Sequence, residues 1–383
     1  MVARVSGRLS GPDYSGRHVR GCGAAADRSL CPDGRHLRAS HGAQSLTVFF
    51  CCGQEVEGEK DKVIVADLYA NLEDDLAYVE DQLRVQLRSK EPVLEDAAVH
   101  LLNAGGKRLR PVFVLLAGTF GQYDRDRLAH VAVGLELIHM ATLVHDDVID
   151  NADTRRGMPT VKARFGNRVA MYTGDFIFAR ALSTLSHIDD VRIHKTLATA
   201  IERMCLGEIE QIRDLFSLDQ TMRTYLLRIR RKTALLIEMS CALGALAAGA
   251  PAHIVSAVRR YGYYTGMAFQ ITDDVLDFTS TEERLGKPVG SDLRQGNLTA
   301  PVLLALRSAE VGRDLRELIA AHDRFSDMRQ AVQMVNDSGG VKGAMDLADR
   351  YLVKAHEGLA CLPPTPTRMS LAALATFVGK RDH

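Results

Sequence analysis

The spacing of apolar residues and the scarcity of proline predict long helices. No proline occurs between Pro159 and Pro251, and so long a stretch without a breaker favours helices over short strands and turns. From Asp61 onward apolar residues recur at helical spacing, and no alternating strand run with hairpin turns appears. Two such series are Leu128, Val131, Ala132, Leu135, Ile138 and Thr142, and Tyr264, Met267, Ala268 and Ile271. The expected fold class is therefore all-α.

Composition limits the classes of partner. The 383 residues are 46% hydrophobic, which is enough for a sizeable core, and 48 Lys and Arg balance 48 Asp and Glu. A chain without net charge has no overall field for nucleic acid, so an anion site must come from a local cluster of basic residues. The most apolar stretch, residues 233–255, is interrupted by Glu238 and His253. It predicts a buried helix, with at most peripheral membrane contact.

The seven cysteines predict neither a disulfide framework nor a zinc site. Four of them fall within the first 52 residues, and Cys205, Cys241 and Cys361 are far apart without a CxxC pair. Such usage fits a reducing compartment, so a cytoplasmic location is expected.

The chain changes character near residue 60. Up to Glu59 it is rich in Gly, Ser and Arg, contains no Lys and has no periodic apolar pattern. We expect residues 1–60 to be a disordered or wrongly assigned N-terminal extension, with a targeting leader as the alternative. Residues 61–383 are expected to form one all-α domain.

Two acidic clusters point to metal chemistry. Asp146, Asp147 and Asp150 end one apolar helical segment, and the same spacing returns 127 residues later. The second cluster consists of Asp273, Asp274 and Asp277. Residues four apart on a helix lie on one face, and facing carboxylates repel one another unless a cation lies between them. Hard oxygen ligands suit Mg²⁺, which is typically shared with substrate phosphates.

Basic residues supply the complementary anion site. Lys107, Arg108 and Arg110 follow a Gly-Gly pair, and Arg155 and Arg156 follow the first acidic cluster closely. Arg grips phosphate oxygens through two nitrogens, and Lys adds a point charge. The combination predicts a diphosphate substrate. Taken alone, a basic loop after Gly-Gly is more often a solvated surface, and the arginine pair could merely balance the neighbouring acids.

At this point the sequence resembles the trans-type polyprenyl diphosphate synthases. Within this family it is most similar to the large catalytic component of the two-component heptaprenyl diphosphate synthases. The motifs that carry the resemblance are GGKRLRP at 105–111, ELIHMATLVHDDVIDNADTRRG at 136–157, GEIEQ at 207–211, RKTA at 231–234, FQITDDVLDF at 269–278 and GKPVGSDL at 286–293. The resemblance implies the isoprenoid synthase fold, a single bundle of long helices around a central apolar cavity.

The resemblance also assigns roles to individual residues. It implies that about three Mg²⁺ ions, shared with the substrate diphosphate, are held by Asp146, Asp147, Asp150, Asp273, Asp274 and Asp277. The allylic diphosphate would be bound by Arg155, Lys232, Thr233 and Gln270. Isopentenyl diphosphate would be bound by Lys107, Arg110, His139 and Arg156. The residues expected to take part in catalysis are Asp146, Asp147, Asp150, Asp273, Asp274 and Lys232.

The expected reaction joins an allylic diphosphate, with farnesyl diphosphate as the starter, to successive isopentenyl diphosphates. Metal ions and basic side chains would stabilise the leaving diphosphate, and apolar helices would exclude water from the carbocation. No motif residue is an obvious general base, so the released diphosphate is expected to take the proton. The product would be heptaprenyl diphosphate for the menaquinone side chain.

Chain length is predicted from side-chain size on the helix that leads to Asp146. The growing chain would run back along this helix, at about 1.5 Å of rise per residue. Ala141 is small where a Phe or Tyr would form a floor, so a long product is expected. Thr142 and Ile138 would line the same path.

The partner and three alternative functions stay open at this stage. Many members of the family have Lys at the position of Asn297. The two-component enzymes resemble this sequence here, which suggests that the chain works with a small regulatory subunit. A homodimeric octaprenyl or longer-chain synthase would share every motif. A class I terpene cyclase would not need Lys107 and Arg110, and a non-catalytic subunit should have lost an acidic triplet.

Overall fold

The computed structural model describes residues 71–280, 289–321 and 329–379. The predicted N-terminal extension, residues 1–60, lies outside these ranges, as do Gly286, Lys287 and Pro288. The described residues are almost entirely helical, which confirms the all-α prediction.

The helices of the first half are α1 (Glu73–Gln86), α2 (Pro92–Asn103), α3 (Leu109–Gly118), α4 (Arg125–Ile149), α5 (Val161–Phe165), α6 (Asn167–Leu185), α7 (Val191–Arg213) and α8 (Met222–Ile229). A π-helical turn, Arg230–Ala234, joins α8 directly to α9 (Leu235–Ala247). The remaining helices are α10 (Ala252–Thr279), α11 (Ser291–Arg294), α12 (Ala300–Ala305), α13 (Gly312–Ala320), α14 (Arg329–Asp337), α15 (Gly340–Leu359) and α16 (Pro366–Gly379). In the described part of the chain, the strands are β1 (Thr154–Arg155) and β2 (Met158–Pro159), which form a short antiparallel hairpin.

Helix α4 carries the first acidic cluster at its C-terminal end. It begins at an N-cap in which the Asp124 carboxylate accepts a hydrogen bond from the Arg127 backbone N–H at 3.1 Å, which satisfies one of the free donors of the first turn. Among the described helices it is long and apolar enough to cross a membrane, but 72% of its apolar window is buried within the protein. Its packing against α6, α3 and α9 accounts for that apolar character.

Helix α10 carries the second acidic cluster, also at its C-terminal end. It packs against α9 and α15. The apolar stretch predicted as a buried helix is the region of α9, where nearly every side chain is buried. Residues 248–251 end α9 before α10 begins, so residues 233–255 are not one helix.

Two hydrophobic clusters form the interior. One contains buried residues of α1 to α4, α6, α7, α9, the first half of α10, the end of α15 and α16. The other contains the second half of α10 with α8 and α12 to α15. The acidic end of α4 therefore emerges from the first cluster, and the acidic end of α10 emerges from the second.

Candidate active site

The two acidic clusters meet at one cavity. Asp146 of α4, Asp150 directly after α4 and Asp273 of α10 line a cavity of about 680 Å³, although Asp146 and Asp273 are 127 residues apart in sequence. Burial raises the pKa of Asp146, which Lys232 partly offsets, and burial likewise raises the pKa of Asp150. The structure therefore places residues of both acidic clusters in the wall of one cavity.

Asp147 occupies a different position from its two neighbours. Its side chain is 1% exposed, and its Oδ1 accepts hydrogen bonds from Arg155 Nε at 2.9 Å and from Arg155 Nη2 at 2.7 Å. Its Oδ2 is buried without a hydrogen-bond partner. In this conformation Asp147 fixes Arg155 beside the cavity, and its predicted role as a metal ligand stays a prediction.

The second cluster divides in the same way. Asp274 is buried and accepts hydrogen bonds from the Tyr225 hydroxyl and from Gln270 Nε2, both at 2.7 Å. Burial, reinforced by the negative charge of Asp292, raises the pKa of Asp274 to about 7. Asp277 is 1% exposed and accepts hydrogen bonds from Ser291 Oγ at 2.9 Å and from the Asp292 backbone N–H at 3.1 Å. Asp277 therefore holds the segment that begins α11.

A smaller cavity of about 150 Å³ adjoins the first and shares part of its wall, namely Asp150, Lys232, Thr233 and Gln270. Asn297 lines this smaller cavity, and its Oδ1 is buried without a hydrogen-bond partner. The departure from Lys at this position therefore lies next to the acidic clusters.

The π-helical turn places Lys232 and Thr233 in the cavity wall. Lys232 Nζ lies 2.9 Å from Glu208 Oε2 and 3.8 Å from Asp146 Oδ2. Burial alone would lower the pKa of Lys232, but the carboxylates around it raise the pKa overall. Thr233 donates a hydrogen bond of 2.6 Å to Gln270 Oε1. Extra residues of this kind in helices often mark functional sites, and the apolar periodicity gave no sign of this one.

A close approach of two helices supports the π-helical turn. A Cβ added to Gly266 of α10 would lie 2.6 Å from Ala234 Cα. Only glycine fits at this distance, because backbone atoms on the other side cannot move away cheaply. Gly266 therefore allows the segment with Lys232 and Thr233 to pack directly against the backbone of α10.

The basic side of the cavity is built on a backbone loop. Gly105 and Gly106 have positive φ angles of 77° and 159°, and Arg108 has a φ of 46°. Arg108 does not serve the cavity with its guanidinium, since it pairs with Glu80 at 2.9 Å and with Glu136 at 3.1 Å. The sequence pattern places Arg108 among the anion-binding cations, which the structure does not support. It gives no role to Glu136, although Glu136 and His139 are three residues apart and lie on one helix face.

Four predicted isopentenyl diphosphate residues line this side of the cavity, namely Lys107, Arg110, His139 and Arg156. Arg156 lies in the turn of the β1–β2 hairpin with a φ of 53° and donates a hydrogen bond from Nη1 to the Gly105 carbonyl oxygen.

Burial, together with the positive charge of the surrounding arginines, lowers the pKa of His139 well below its ordinary value. His139 is therefore neutral at physiological pH. A neutral imidazole has one N–H, which it can donate to a phosphate oxygen.

The predicted chain-length residues lie on different sides of α4. Thr142 lines the cavity, whereas Ile138 and Ala141 are about 1% exposed and belong to the hydrophobic core. By helical spacing, Ile138 and Ala141 share a face with Gly134 and His145. That face contacts α6, since a Cβ on Gly134 would lie 2.4 Å from Leu185 Cγ. A path for the growing chain past Ala141 would have to run between α4 and α6.

Residues 91–336 match the family model described as polyprenyl synthetase. The chain belongs to the polyprenyl synthetase family. It is 54% identical over 316 residues to the heptaprenyl diphosphate synthase component 2 of Geobacillus stearothermophilus, covering 82% of this chain and 98% of that protein.

Two solved structures are similar to this member of the family. The heptaprenyl diphosphate synthase of Staphylococcus aureus matches with a TM-score of 0.78 and 41% identity, covering 82% of this chain and 99% of that one. A polyprenyl synthase of Caulobacter crescentus complexed with calcium and isoprenyl diphosphate matches with a TM-score of 0.78 and 34% identity, covering 83% and 98%.

Membership in the family makes the chain a trans-prenyltransferase that elongates polyprenyl diphosphates, on the isoprenoid synthase fold. The match decides against a class I terpene cyclase.

Proposed function

We propose that the protein is the catalytic subunit of a heptaprenyl diphosphate synthase that extends farnesyl diphosphate with isopentenyl diphosphate for the menaquinone side chain. The observation that carries this proposal is the single cavity that holds Asp146 and Asp273 on one side and Lys107 and Arg110 on the other. The 54% identical relative named as a heptaprenyl diphosphate synthase component supports the product assignment.

The donor set fits Mg²⁺ that is shared with a substrate. Within the described ranges, no group of three or more His, Cys, Asp or Glu residues is arranged to hold an ion by itself. The three aspartates that line the cavity therefore leave coordination positions for water and phosphate oxygens, as Mg²⁺ prefers. We propose that Asp146, Asp150 and Asp273 provide the protein ligands. When bound, about three such ions would neutralise the charge that develops on the leaving diphosphate.

The two substrate diphosphates occupy two groups of side chains in this proposal. Lys232, Thr233 and Gln270 lie beside the acidic clusters, where the diphosphate of the allylic substrate would lie. Arg155, fixed by Asp147, adds a guanidinium on that side. Lys107, Arg110, His139 and Arg156 hold isopentenyl diphosphate on the other side.

The reaction follows from this separation of charge. The allylic C–O bond breaks, and its electron pair leaves with the diphosphate, which Lys232 and Arg155 stabilise. The double bond of isopentenyl diphosphate then supplies the electrons of the new C–C bond. A proton passes from the resulting cation to the released diphosphate, which restores an allylic product that is one unit longer. Apolar residues of the wall, such as Leu143 and Phe269, exclude water from the cation.

The proposal is tested by incubating the full chain, with and without candidate small subunits, with Mg²⁺, farnesyl diphosphate and labelled isopentenyl diphosphate, and by measuring product length by mass spectrometry. Heptaprenyl diphosphate is expected. Octaprenyl or longer products would refute the product assignment, and the absence of any condensation with every candidate partner would refute the activity.

A partner subunit is proposed because the relative is named as a second component. Helix α7 has a suitable surface, since Leu206, Ile209 and Ile212 are 49%, 63% and 50% exposed along one stripe. Clustered exposed apolar residues commonly mark interfaces. Glu208, one turn before Ile212 on the same helix, pairs with Lys232. We propose that a small, non-homologous subunit binds this stripe and thereby supports the cavity wall.

Ile209→Glu tests this interface, with Val353→Glu as the matched control, because Val353 is 56% exposed on α15. Only Ile209→Glu should abolish activation by the small subunit. Full activity of the isolated chain would refute the need for a partner, and activation of Ile209→Glu at the wild-type level would refute the surface.

A further inference from the structure

Glu136 is a buried carboxylate in the wall of the active-site cavity. It lies on α4 three residues before His139 and is 3% exposed. Its Oε1 accepts a hydrogen bond from Arg108 Nη1 at 3.1 Å, whereas its Oε2 is buried without a hydrogen-bond partner. A buried carboxylate oxygen without a donor is costly. Such an atom indicates that a donor reaches it in another state of the protein.

Arg110 is the donor that the cavity offers. It lines the same cavity, and its Nε is also buried without a hydrogen-bond partner. Burial lowers the pKa of Arg110 to about 10, and the charge of Glu136 is the main influence that raises it. Arg110 and Glu136 therefore line one cavity, and each has a buried atom of complementary character without a hydrogen-bond partner.

The neighbouring arginines are already engaged. Arg108 donates to Glu80, to Glu136 and to the Leu102 carbonyl oxygen. Arg156 donates from Nη1 to the Gly105 carbonyl oxygen. Of these three arginines, Arg110 has a buried Nε without a hydrogen-bond partner. Glu136 is the main negative charge acting on Arg110.

We propose that Glu136 is a positioning residue for isopentenyl diphosphate, whose Oε2 accepts the Nε–H of Arg110 when the substrate is bound. The two terminal nitrogens of Arg110 then face the diphosphate as a fork, the geometry in which guanidinium binds phosphate best. This inference rests on the proposed function, because it names the same substrate site.

The sign of one measurement separates this role from a simple effect of charge. If Glu136 only reduced the positive potential of the cavity, its neutralisation would strengthen the binding of an anion. If Glu136 orients Arg110, its neutralisation weakens binding, because the fork is no longer held. Hydrogen bonds to charged groups are worth enough to change affinity by about 10- to 100-fold.

The experiment compares Glu136→Gln with Glu80→Gln in the full chain, assayed with its partner subunit. Both variants remove a charged partner of Arg108, but only Glu136 lines the active-site cavity. Glu136→Gln should raise the KM for isopentenyl diphosphate about 10- to 100-fold, with less than about a threefold change in the allylic KM. Glu80→Gln should change neither KM by more than about threefold. Equal effects of the two variants, or tighter binding in Glu136→Gln, would overturn the proposal.

A double-mutant cycle excludes a merely structural loss. In an Arg110→Lys background the Nε–H is absent, so Glu136→Gln should raise the same KM by less than about threefold. Full additivity of the two substitutions would overturn the proposal.

The pH dependence gives an independent readout. The charged and titratable groups of the cavity wall around Arg110 are Lys107 and Arg108 in the loop before α3, Glu136 and His139 on α4, and Arg156 in the hairpin. Direct titration with isopentenyl diphosphate should show the loss of affinity at high pH beginning at a lower pH in Glu136→Gln than in the wild type. An unchanged alkaline limb would count against the proposal. A wild-type chain that does not bind isopentenyl diphosphate at all would instead refute the proposed function.

Discussion

The packing of α10 against the π-helical turn gives the sharpest test of how the site is held. In Gly266→Ala the new Cβ would lie 2.6 Å from Ala234 Cα and 3.0 Å from Ala234 Cβ, so the segment that carries Lys232 and Thr233 must move. Overpacking of a core typically costs about 1–3 kcal/mol. The better helix propensity of alanine recovers about 0.5–1 kcal/mol of this. A net destabilisation of about 1–2 kcal/mol is expected.

The assay is thermal unfolding together with steady-state kinetics. A loss of this size corresponds to a fall in Tm of about 1.5–3 °C for a domain of this length. Displacement of a catalytic side chain by about 1 Å can reduce the rate by about 100-fold. Because Lys232 moves with the segment, kcat should fall even at temperatures where the variant is fully folded. Gly358→Ala in α15 is the matched control, because its Cβ would meet nothing closer than 3.8 Å. Wild-type Tm and kcat in Gly266→Ala would refute the reasoning.

Three further predictions concern the carboxylates and the product. Asp146→Asn and Asp273→Asn should each lower kcat by at least about 100-fold without lowering Tm, whereas the exposed Asp349→Asn should leave kinetics unchanged; activity near wild type in either cavity variant would contradict the metal assignment. The pKa of Asp274 is raised to about 7, so ionising this carboxyl group destabilises the folded state. This destabilisation is absent below about pH 4 and grows as the pH rises to about 7. Asp274→Asn should therefore raise the Tm of the metal-free chain at pH 8 and not at pH 4, and an equal shift at both values would contradict this. Ala141→Phe should shorten the product, and unchanged chain length in a product assay would argue against a path between α4 and α6.

The parts of the site that follow from local sequence could be predicted. The helical spacing places Asp146 and Asp150 on one face of α4, and the repeated motif places Asp273 at the corresponding end of α10. The basic residues that follow Gly105 and Gly106 likewise form a local pattern in the sequence. These features depend on residues close together in sequence, so a motif is enough to indicate them.

The parts that depend on contacts between distant segments could not be predicted. Whether Asp277 faces the metal or the protein depends on Ser291 and the Asp292 N–H, which lie beyond the end of α10. The π-helical turn adds one residue within a helix without changing its apolar pattern, so periodicity cannot reveal it. The role of Arg108 depends on Glu80 in α1, 28 residues earlier in the chain.

The structure also explains how two acidic clusters can face one cavity before any cation is bound. Two unscreened triplets would repel strongly in a partly buried setting. In the first triplet, Arg155 balances the buried charge of Asp147, and Lys232 lies near Asp146. In the second, Asp274 is hydrogen-bonded to neutral groups, and its pKa of about 7 leaves it substantially protonated near neutral pH. The negative charge that faces the cavity is therefore smaller than the sequence suggests. Binding of cations would favour ionisation of Asp274, so metal binding should release protons near neutral pH.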